Sequence, residues 1–169
     1  MINFQHDILP LKNLIFRTAL RIVLNREEAE DIVQDTLMKL WQKRDELAQV
    51  ANLEAFALAS ARNLAIDRKE KMENRNISLD DTLHDRPDEG LTEGDRLMTQ
   101  QETHRLVADV INSLPEKQRT VIQLRDIEGK NYREIAEVLS ISESDVKVTL
   151  FRARNEVKEK IFQKKSFFL

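Results

Sequence analysis

Apolar residues recur at helical spacing through the first half of the chain and predict three helices there. The first covers residues 11–24, where Leu, Ile, Ala and Val side chains share one stripe. Asn25 and Asn52 precede the next two stripes, and each can cap a helix by accepting a hydrogen bond from a backbone N–H of its first turn. We therefore expect a second helix to about Arg44 and a third from Leu53 to about Glu73.

A second group of helical stripes occupies the last third of the sequence. Four helices are predicted in it, namely Gln101–Ser113, one with Pro115 in its first turn, Tyr132–Leu139 after a cap at Asn131, and one from about Glu143 to Phe162. No segment alternates with the two-residue period of a strand. The sequence thus predicts an all-α fold with two small helical domains.

The segment between the two groups has a different composition. Residues 76–102 contain eight acidic and two basic residues, together with one of the three prolines and two of the three glycines. A charge run with few apolar residues is typical of a flexible tether, because it cannot bury enough surface to fold. We therefore expect an N-terminal domain over residues 1–75, a flexible acidic linker over 76–100 and a C-terminal domain over 101–165.

Composition excludes several kinds of function. The chain has 169 residues, a net charge of −3, three glycines and no cysteine, which leaves no thiol chemistry and little room for a phosphate-binding loop. No apolar stretch approaches the ~20 residues of a membrane-spanning helix, and residues 1–7 lack the features of a signal peptide. The three histidines have no metal-ligand spacing. We expect a cytoplasmic protein that is not an enzyme and needs no cofactor or metal.

Residues 132–150 have the pattern of a helix-turn-helix. Ile135 and Leu139 are the apolar contacts of a short helix, the small Ala136 permits a close helix crossing, and Val146 and Leu150 face inward from a longer helix. The start of that longer helix would then face base edges in a major groove about 12 Å wide. The candidate base-facing residues are Ser142, Glu143, Ser144, Lys147 and Val148, with Arg152 and Arg154 for phosphates. The alternative is an ordinary helical hairpin with a basic, solvated face.

Three blocks of the sequence together resemble one family, the extracytoplasmic-function (ECF) group of bacterial sigma-70 factors. Residues 29–41 (AEDIVQDTLMKLW) resemble its region 2.2, and residues 61–68 (ARNLAIDR) resemble its region 2.4. Region 4 is similar to residues 114–119 (LPEKQR) and 132–139 (YREIAEVL), together with the last helix. The blocks occur in the family's order and cover nearly the whole chain apart from the linker.

The resemblance implies a non-catalytic transcription initiation subunit that binds core RNA polymerase and reads promoter −35 and −10 elements. Region 2.2 of the family docks on the coiled coil of the polymerase β′ subunit, and region 4 is expected on the β flap. The matching region 2.2 positions are Asp31, Gln34, Asp35 and Met38, and the three polar ones share one helical face. Trp41 is expected in the core rather than at this interface. Without the family, the acidic face is most simply a solvated surface.

The resemblance also assigns the DNA contacts. For the −10 element it implies Asn63 and Asp67 with the segment 45–52 around a flipped base, and phosphate contacts from Arg62, Arg68, Lys69, Lys71 and Arg75. For the −35 element it implies Ser142, Ser144, Lys147 and Val148 at bases, and Arg119, Tyr132, Arg133, Arg152 and Arg154 at phosphates. Family members are commonly held by an anti-sigma factor, often at the membrane, so one is an expected partner of a chain that otherwise works at the nucleoid.

Two other functions fit parts of the sequence. A dimeric helix-turn-helix regulator would bind operator DNA tightly without polymerase, although no heptad run suggests a dimer interface. A helical adaptor that binds only proteins would be indifferent to charge reversal at Lys147 and Arg152.

Overall fold

The computed structural model describes residues 1–75 and 98–166, and these form the N-terminal and C-terminal modules used below. The predicted linker lies almost wholly outside the described residues. Within them the chain is helical and contains no strand, which confirms the all-α prediction. The helices are α1 (Lys12–Val23), α2 (Arg26–Gln42), α3 (Arg44–Leu47), α4 (Leu53–Asn74), α5 (Gln100–Asn112), α6 (Glu116–Ile122), α7 (Tyr132–Leu139) and α8 (Glu143–Ser166), with irregular helical turns over Phe4–Ile8, Leu9–Leu11 and Gln123–Ile127. None of the described helices is both long and apolar enough to cross a membrane.

The predicted caps are present. The side chains of Asn25, Asn52 and Asn131 accept hydrogen bonds of 3.0, 3.0 and 2.8 Å from backbone N–H groups three residues later. Such a cap contributes about 1 kcal/mol, since it satisfies an N–H that has no partner inside the helix. Thr99 and Glu102 add a reciprocal capping box at the start of α5, which the sequence pattern did not reveal.

Two tight turns use left-handed backbone without glycine. Leu24 after α1 has φ 57° and Ser140 after α7 has φ 55°. A side chain in this region costs about 1 kcal/mol, so each turn must be held by the helices that it joins. At Leu24 the backbone N–H donates to the Leu20 carbonyl at 2.8 Å, and at the next residue the Asn25 cap starts α2. In the turn before α8, Ser140 takes the left-handed position for which glycine is best suited.

Helices α1, α2 and α4 pack around the core of the N-terminal module. Ile15, Ile22, Ile32 and Leu40 are fully buried there, together with several alanines of α4 that let the helices approach closely. Trp41 was predicted to lie in this core, but it is 40% exposed, so that prediction is wrong. The Arg44 guanidinium lies 4.1 Å from the centre of its ring and the Phe4 ring lies 5.7 Å from it, so the indole is covered by a cation and one aromatic ring at the edge of the core.

The core of the C-terminal module continues into the N-terminal module. Val146 and Leu150 face inward, as predicted, and pack with residues of α5, α6 and α7. The same apolar cluster includes Ala55 and Leu58 of α4, with Leu14 of α1 at its edge. Since α4 packs on α7, the first helix of the helix-turn-helix rests on the N-terminal module. The two modules therefore share an apolar contact and do not merely lie side by side.

Candidate protein and nucleic-acid interfaces

The outer face of α2 presents the four residues predicted to contact polymerase. Asp31, Gln34, Asp35 and Met38 are all exposed, whereas Ile32 and its neighbours on the opposite face are buried. Met38 is 59% exposed, which is high for an apolar side chain. The face thus combines carboxylates, an amide and an apolar residue within about two turns of helix, a mixture suited to a partner with basic and apolar groups.

Arg68 of α4 reaches across to this face and binds three carboxylates of α2. Its Nη1 lies 2.8 Å from Glu28 and 2.9 Å from Asp31, and its Nη2 lies 3.1 Å from Asp35. The three acids stand at i, i+3 and i+7, so they form one ridge along the helix. Hydrogen bonding to Glu28, followed by Asp31, raises the pKa of Arg68. We name this cluster the Arg68 network.

The other candidate −10 residues lie along α4, but not all are accessible. Asn63, Asp67, Lys71 and Arg75 are exposed, and Lys69 is half-buried beside Glu73 at 3.8 Å. Within the segment 45–52, residues 45–47 belong to α3, where Leu47 is buried, and Asn52 caps α4, so the loop that connects the two helices covers residues 48–51. Arg62 is 15% exposed and forms two hydrogen bonds of 3.1 Å with Glu116 of the C-terminal module.

The first turns of α8 form the accessible part of the helix-turn-helix. Ser142, Glu143, Ser144, Lys147 and Val148 are all exposed. The Ser142 hydroxyl accepts the Asp145 backbone N–H at 3.0 Å, so it caps α8 and one of its lone pairs is occupied. The Lys147 amine stands 5.5 Å from the centre of the half-buried Tyr132 ring, which positions that ammonium.

The candidate phosphate-binding arginines of the C-terminal module differ in their partners. Arg152 is exposed, and Arg133 is exposed with Glu137 at 3.9 Å. Arg154 forms a two-point contact with Asp126, at 2.5 and 3.1 Å, and this hydrogen bonding raises its pKa.

Phe151 of α8, which was not among the predicted site residues, is 67% exposed. The available signal was its position next to Leu150, because a large aromatic there lies off the inward stripe of Val146, Leu150 and Ala153.

Arg119, predicted to bind phosphate, is instead buried between the modules. It is 4% exposed, and its guanidinium donates to the carbonyls of Arg21 at 2.9 Å, Ile22 at 3.0 Å and Leu114 at 2.7 Å. The first two carbonyls belong to the last turn of α1, where they have no partner inside the helix. Arg119 therefore caps a helix of the other module with a positive charge, and it is not presented to DNA in this arrangement.

Further polar contacts line the boundary between the modules. Arg21 donates to Gln123 at 2.9 Å and to Asn112 at 2.7 Å, Arg17 makes a two-point pair with Glu128 at 2.6 and 2.9 Å, and Lys130 pairs with Glu54. Burial, together with the nearby Arg119 charge, lowers the pKa of Arg21, and burial lowers that of Arg119. Each of these two close guanidinium groups donates to neutral oxygens, and the nearby Glu116 carboxylate offsets part of the Arg119 charge.

The comparisons with known proteins match both modules to one family. Sigma-70 region 2 matches residues 8–75, and sigma-70 region 4 matches residues 104–157. The chain is 33% identical over 146 residues to "ECF RNA polymerase sigma factor SigL" of Mycobacterium tuberculosis, covering 83% of this chain and 78% of that protein. It is 30% identical over 145 residues to "ECF RNA polymerase sigma-E factor" of Haemophilus influenzae, covering 82% and 77%.

A solved structure has a similar fold over almost the whole chain. It is that of the sigma factor RpoE in complex with the anti-sigma factor NepR from Bartonella quintana. The similarity covers 94% of this chain and 96% of that one, with a TM-score of 0.68 and 26% sequence identity. Because the match includes both modules, it extends to their general arrangement as well as to each helical unit.

Proposed function

The chain belongs to the ECF group of sigma-70 factors, and we propose that it directs core RNA polymerase to promoters by reading a −10 and a −35 element. It acts in this role as a specificity subunit, without catalysing a reaction, at the cytoplasmic site of transcription. The observation that supports the proposal most is the surface of α8. The opposite face of this helix is anchored in the core by Val146 and Leu150. Five residues at its start are exposed, namely Ser142, Glu143, Ser144, Lys147 and Val148.

For the −35 element, α8 enters the major groove and reads bases with these side chains. The Lys147 ammonium can donate to guanine, whereas Val148, 46% exposed, offers an apolar contact to a thymine methyl. Arg152, Arg154 and Arg133 hold the backbone around it, and these contacts weaken with salt.

For the −10 element, α4 and the segment 45–52 bind the non-template strand. The exposed Asn63 amide can both donate and accept, which suits recognition of the edge of an extruded base. Asp67 lies one turn further along the same helix. Lys71 and Arg75, which are exposed beyond it, follow the phosphates.

Core polymerase docks on the outer face of α2. Asp31, Gln34 and Asp35 bind basic side chains of the β′ coiled coil, and Met38 adds apolar contact at the edge of the same surface. The C-terminal module binds the β flap of the polymerase. An anti-sigma factor is the proposed regulator, since the similar RpoE structure is a complex with one.

Reading both elements requires the modules to separate. Elements centred near −35 and −10 are about 25 base pairs apart, a distance of roughly 85 Å at 3.4 Å per base pair. A compact chain of this length has a radius of gyration of only ~15 Å. In the compact arrangement Arg62 and Arg119 also face the module boundary rather than DNA. Reading both elements therefore needs an open arrangement, in which polymerase holds the modules apart.

The test is reconstitution with core polymerase from the bacterium that encodes the chain. The wild-type chain should co-elute with core and give run-off transcripts from specific promoters. Reversing Asp31 and Asp35 together to lysine should abolish both activities, because basic groups then meet basic groups. The control reverses Glu156 and Glu159, two exposed acids of α8 that lie in the other module, and it should retain most of the activity.

Three results would contradict the proposal. They are no complex with core, equal effects of the two double reversals, and tight binding of operator-like duplex DNA by the chain alone. The last would favour a stand-alone regulator instead.

A further inference from the structure

The Arg68 network joins two surfaces to which the proposed function gives different partners. Asp31 and Asp35 belong to the proposed polymerase face, whereas Arg68 belongs to the proposed −10 DNA surface. In the structure both terminal nitrogens of the guanidinium are hydrogen-bonded to carboxylates of α2. A guanidinium held in this way cannot make a two-point contact with a phosphate through the same nitrogens.

The network is exposed enough to exchange partners. The Arg68 side chain is 28% exposed, that of Asp31 is 61% exposed and that of Asp35 is 49% exposed. Ion pairs with this much solvent contact are individually weak, so a new charged group can displace one at modest cost. With three carboxylates around one cation, the cluster is also short of positive charge, and it attracts a second basic group.

We propose that Arg68 is an exchangeable counter-ion that couples polymerase binding to DNA binding. This inference rests on the proposed function. The exchange begins when basic side chains of core polymerase form ion pairs with Asp31 and Asp35. Arg68 is then released from two of its three partners and becomes available to a phosphate of the strand on α4. Coupling of this kind is reciprocal, so DNA bound at Arg68 also leaves the two aspartates free and strengthens the binding of core.

Neighbouring cations on α4 do not have this arrangement. Lys71 is exposed and one turn nearer the helix end, and Lys69 is paired within its own helix. Lys71 therefore provides a matched control, since its neutralisation removes the same charge from the same surface without touching the carboxylate ridge.

The principal experiment compares the effect of Arg68→Gln in the free chain and in the complex with core. The probe is a fluorescein-labelled single-stranded DNA of 12 nucleotides and mixed sequence, and anisotropy is measured with core alone as the blank. We expect Arg68→Gln to change the affinity of the free chain less than twofold and to weaken DNA binding by the complex about fivefold, within the usual range for coupled sites. Lys71→Gln should have the same effect in both states.

A second experiment needs no polymerase. Changing Asp31 and Asp35 to asparagine releases Arg68 in part, so the free chain should bind the probe about threefold more tightly, with Glu28 still limiting the gain. The gain should disappear when Arg68→Gln is added. The control changes Glu27 and Glu30 to glutamine, which removes the same charge from α2 without altering the network, and should give a much smaller gain.

The outcomes separate this inference from the proposed function. If the wild-type chain forms no active complex with core, the proposed function fails before coupling is measured. If the complex forms and transcribes, but Arg68→Gln acts equally in both states, the counter-ion role is wrong while the function stands. The role is also wrong if the asparagine pair gives the same gain with and without Arg68, because simple charge repulsion would then explain it. Circular dichroism should show the same helicity for every variant compared.

Discussion

Two arginines with three partners each lie in different parts of the molecule and serve different purposes. Arg119, at the boundary between the modules, is 4% exposed and donates only to backbone carbonyls. Arg68, on the outer surface, is 28% exposed and donates only to carboxylates. Carbonyls at a buried helix end have no alternative donor, whereas exposed carboxylates can bind water, salt or another protein.

The difference shows which contacts hold the compact arrangement and which can be exchanged. The boundary depends on buried donors aimed at fixed acceptors, so opening it must supply new partners to several groups at once. The outer network depends on solvent-screened charge, which salt and partners can replace one pair at a time. Burial and the type of acceptor therefore predict a graded series of effects when single arginines or their partners are removed.

The largest effect is expected at the buried end of the series. Arg119→Ala should lower the free energy of unfolding by about 3 kcal/mol, because three carbonyls lose a charged donor inside the protein. Urea unfolding followed by circular dichroism measures the change. Arg119→Lys should recover little of the loss, since one ammonium cannot reproduce the planar fork.

The control for this prediction is Arg133→Ala, which removes an exposed arginine of the same module. It should change the free energy of unfolding by at most about 0.5 kcal/mol. Equal effects of the two alanine variants would show that the Arg119 contacts do not hold the boundary.

The next effect concerns the pair of Arg62 and Glu116, which crosses the boundary but is only partly buried. Arg62→Glu should place two carboxylates together and lower the free energy of unfolding by about 2 kcal/mol, and it should also favour separation of the modules. Small-angle X-ray scattering should report a larger radius of gyration. Adding Glu116→Arg should restore both quantities, and failure of that double exchange would show that the pair does not hold the modules together.

Local features of this fold could be predicted from the sequence, whereas contacts across it could not. The asparagine caps and the inward Val146 and Leu150 depend on neighbours within a few residues, and all were found. The partners of Arg119 on α1 are 97 and 98 residues away, and nothing near it in the sequence marks them. Its position in a basic, family-like block instead predicted a phosphate contact.

Trp41 illustrates a second limit of the pattern. Its apolar character predicted burial, but Leu40 at the preceding position is fully buried, so Trp41 lies to the side of the buried stripe rather than in it. The Arg44 cation and the Phe4 ring, in a T-shaped contact, cover the Trp41 ring. Periodicity identifies the side of a helix that faces inward, but it does not show how far around the helix the neighbouring elements cover it.

A smaller effect on stability is expected at the outer network. Arg68→Gln should lower the free energy of unfolding by about 1 kcal/mol, since three partly exposed contacts are lost and the carboxylates regain water. The loss should shrink in 1 M NaCl, where screening has already weakened the pairs. The same salt series on Arg119→Ala should show little change, and parallel responses of the two variants would remove the distinction between the two sites.

The smallest effect is expected where both partners are mostly in water. Arg26 and Glu30 pair at 3.2 Å on the surface of α2, and their side chains are 79% and 55% exposed. Glu30→Ala removes about 0.3 kcal/mol of pairing, but alanine is a better helix former by a similar amount. The free energy of unfolding should therefore change by less than about 0.5 kcal/mol in urea unfolding at low salt. If Glu30→Ala lowered the free energy of unfolding as much as Arg68→Gln does, the stability of α2 itself, rather than the Arg68 network, would be limiting. The effect of Arg68→Gln would then reflect helix propensity instead of exchangeable charge.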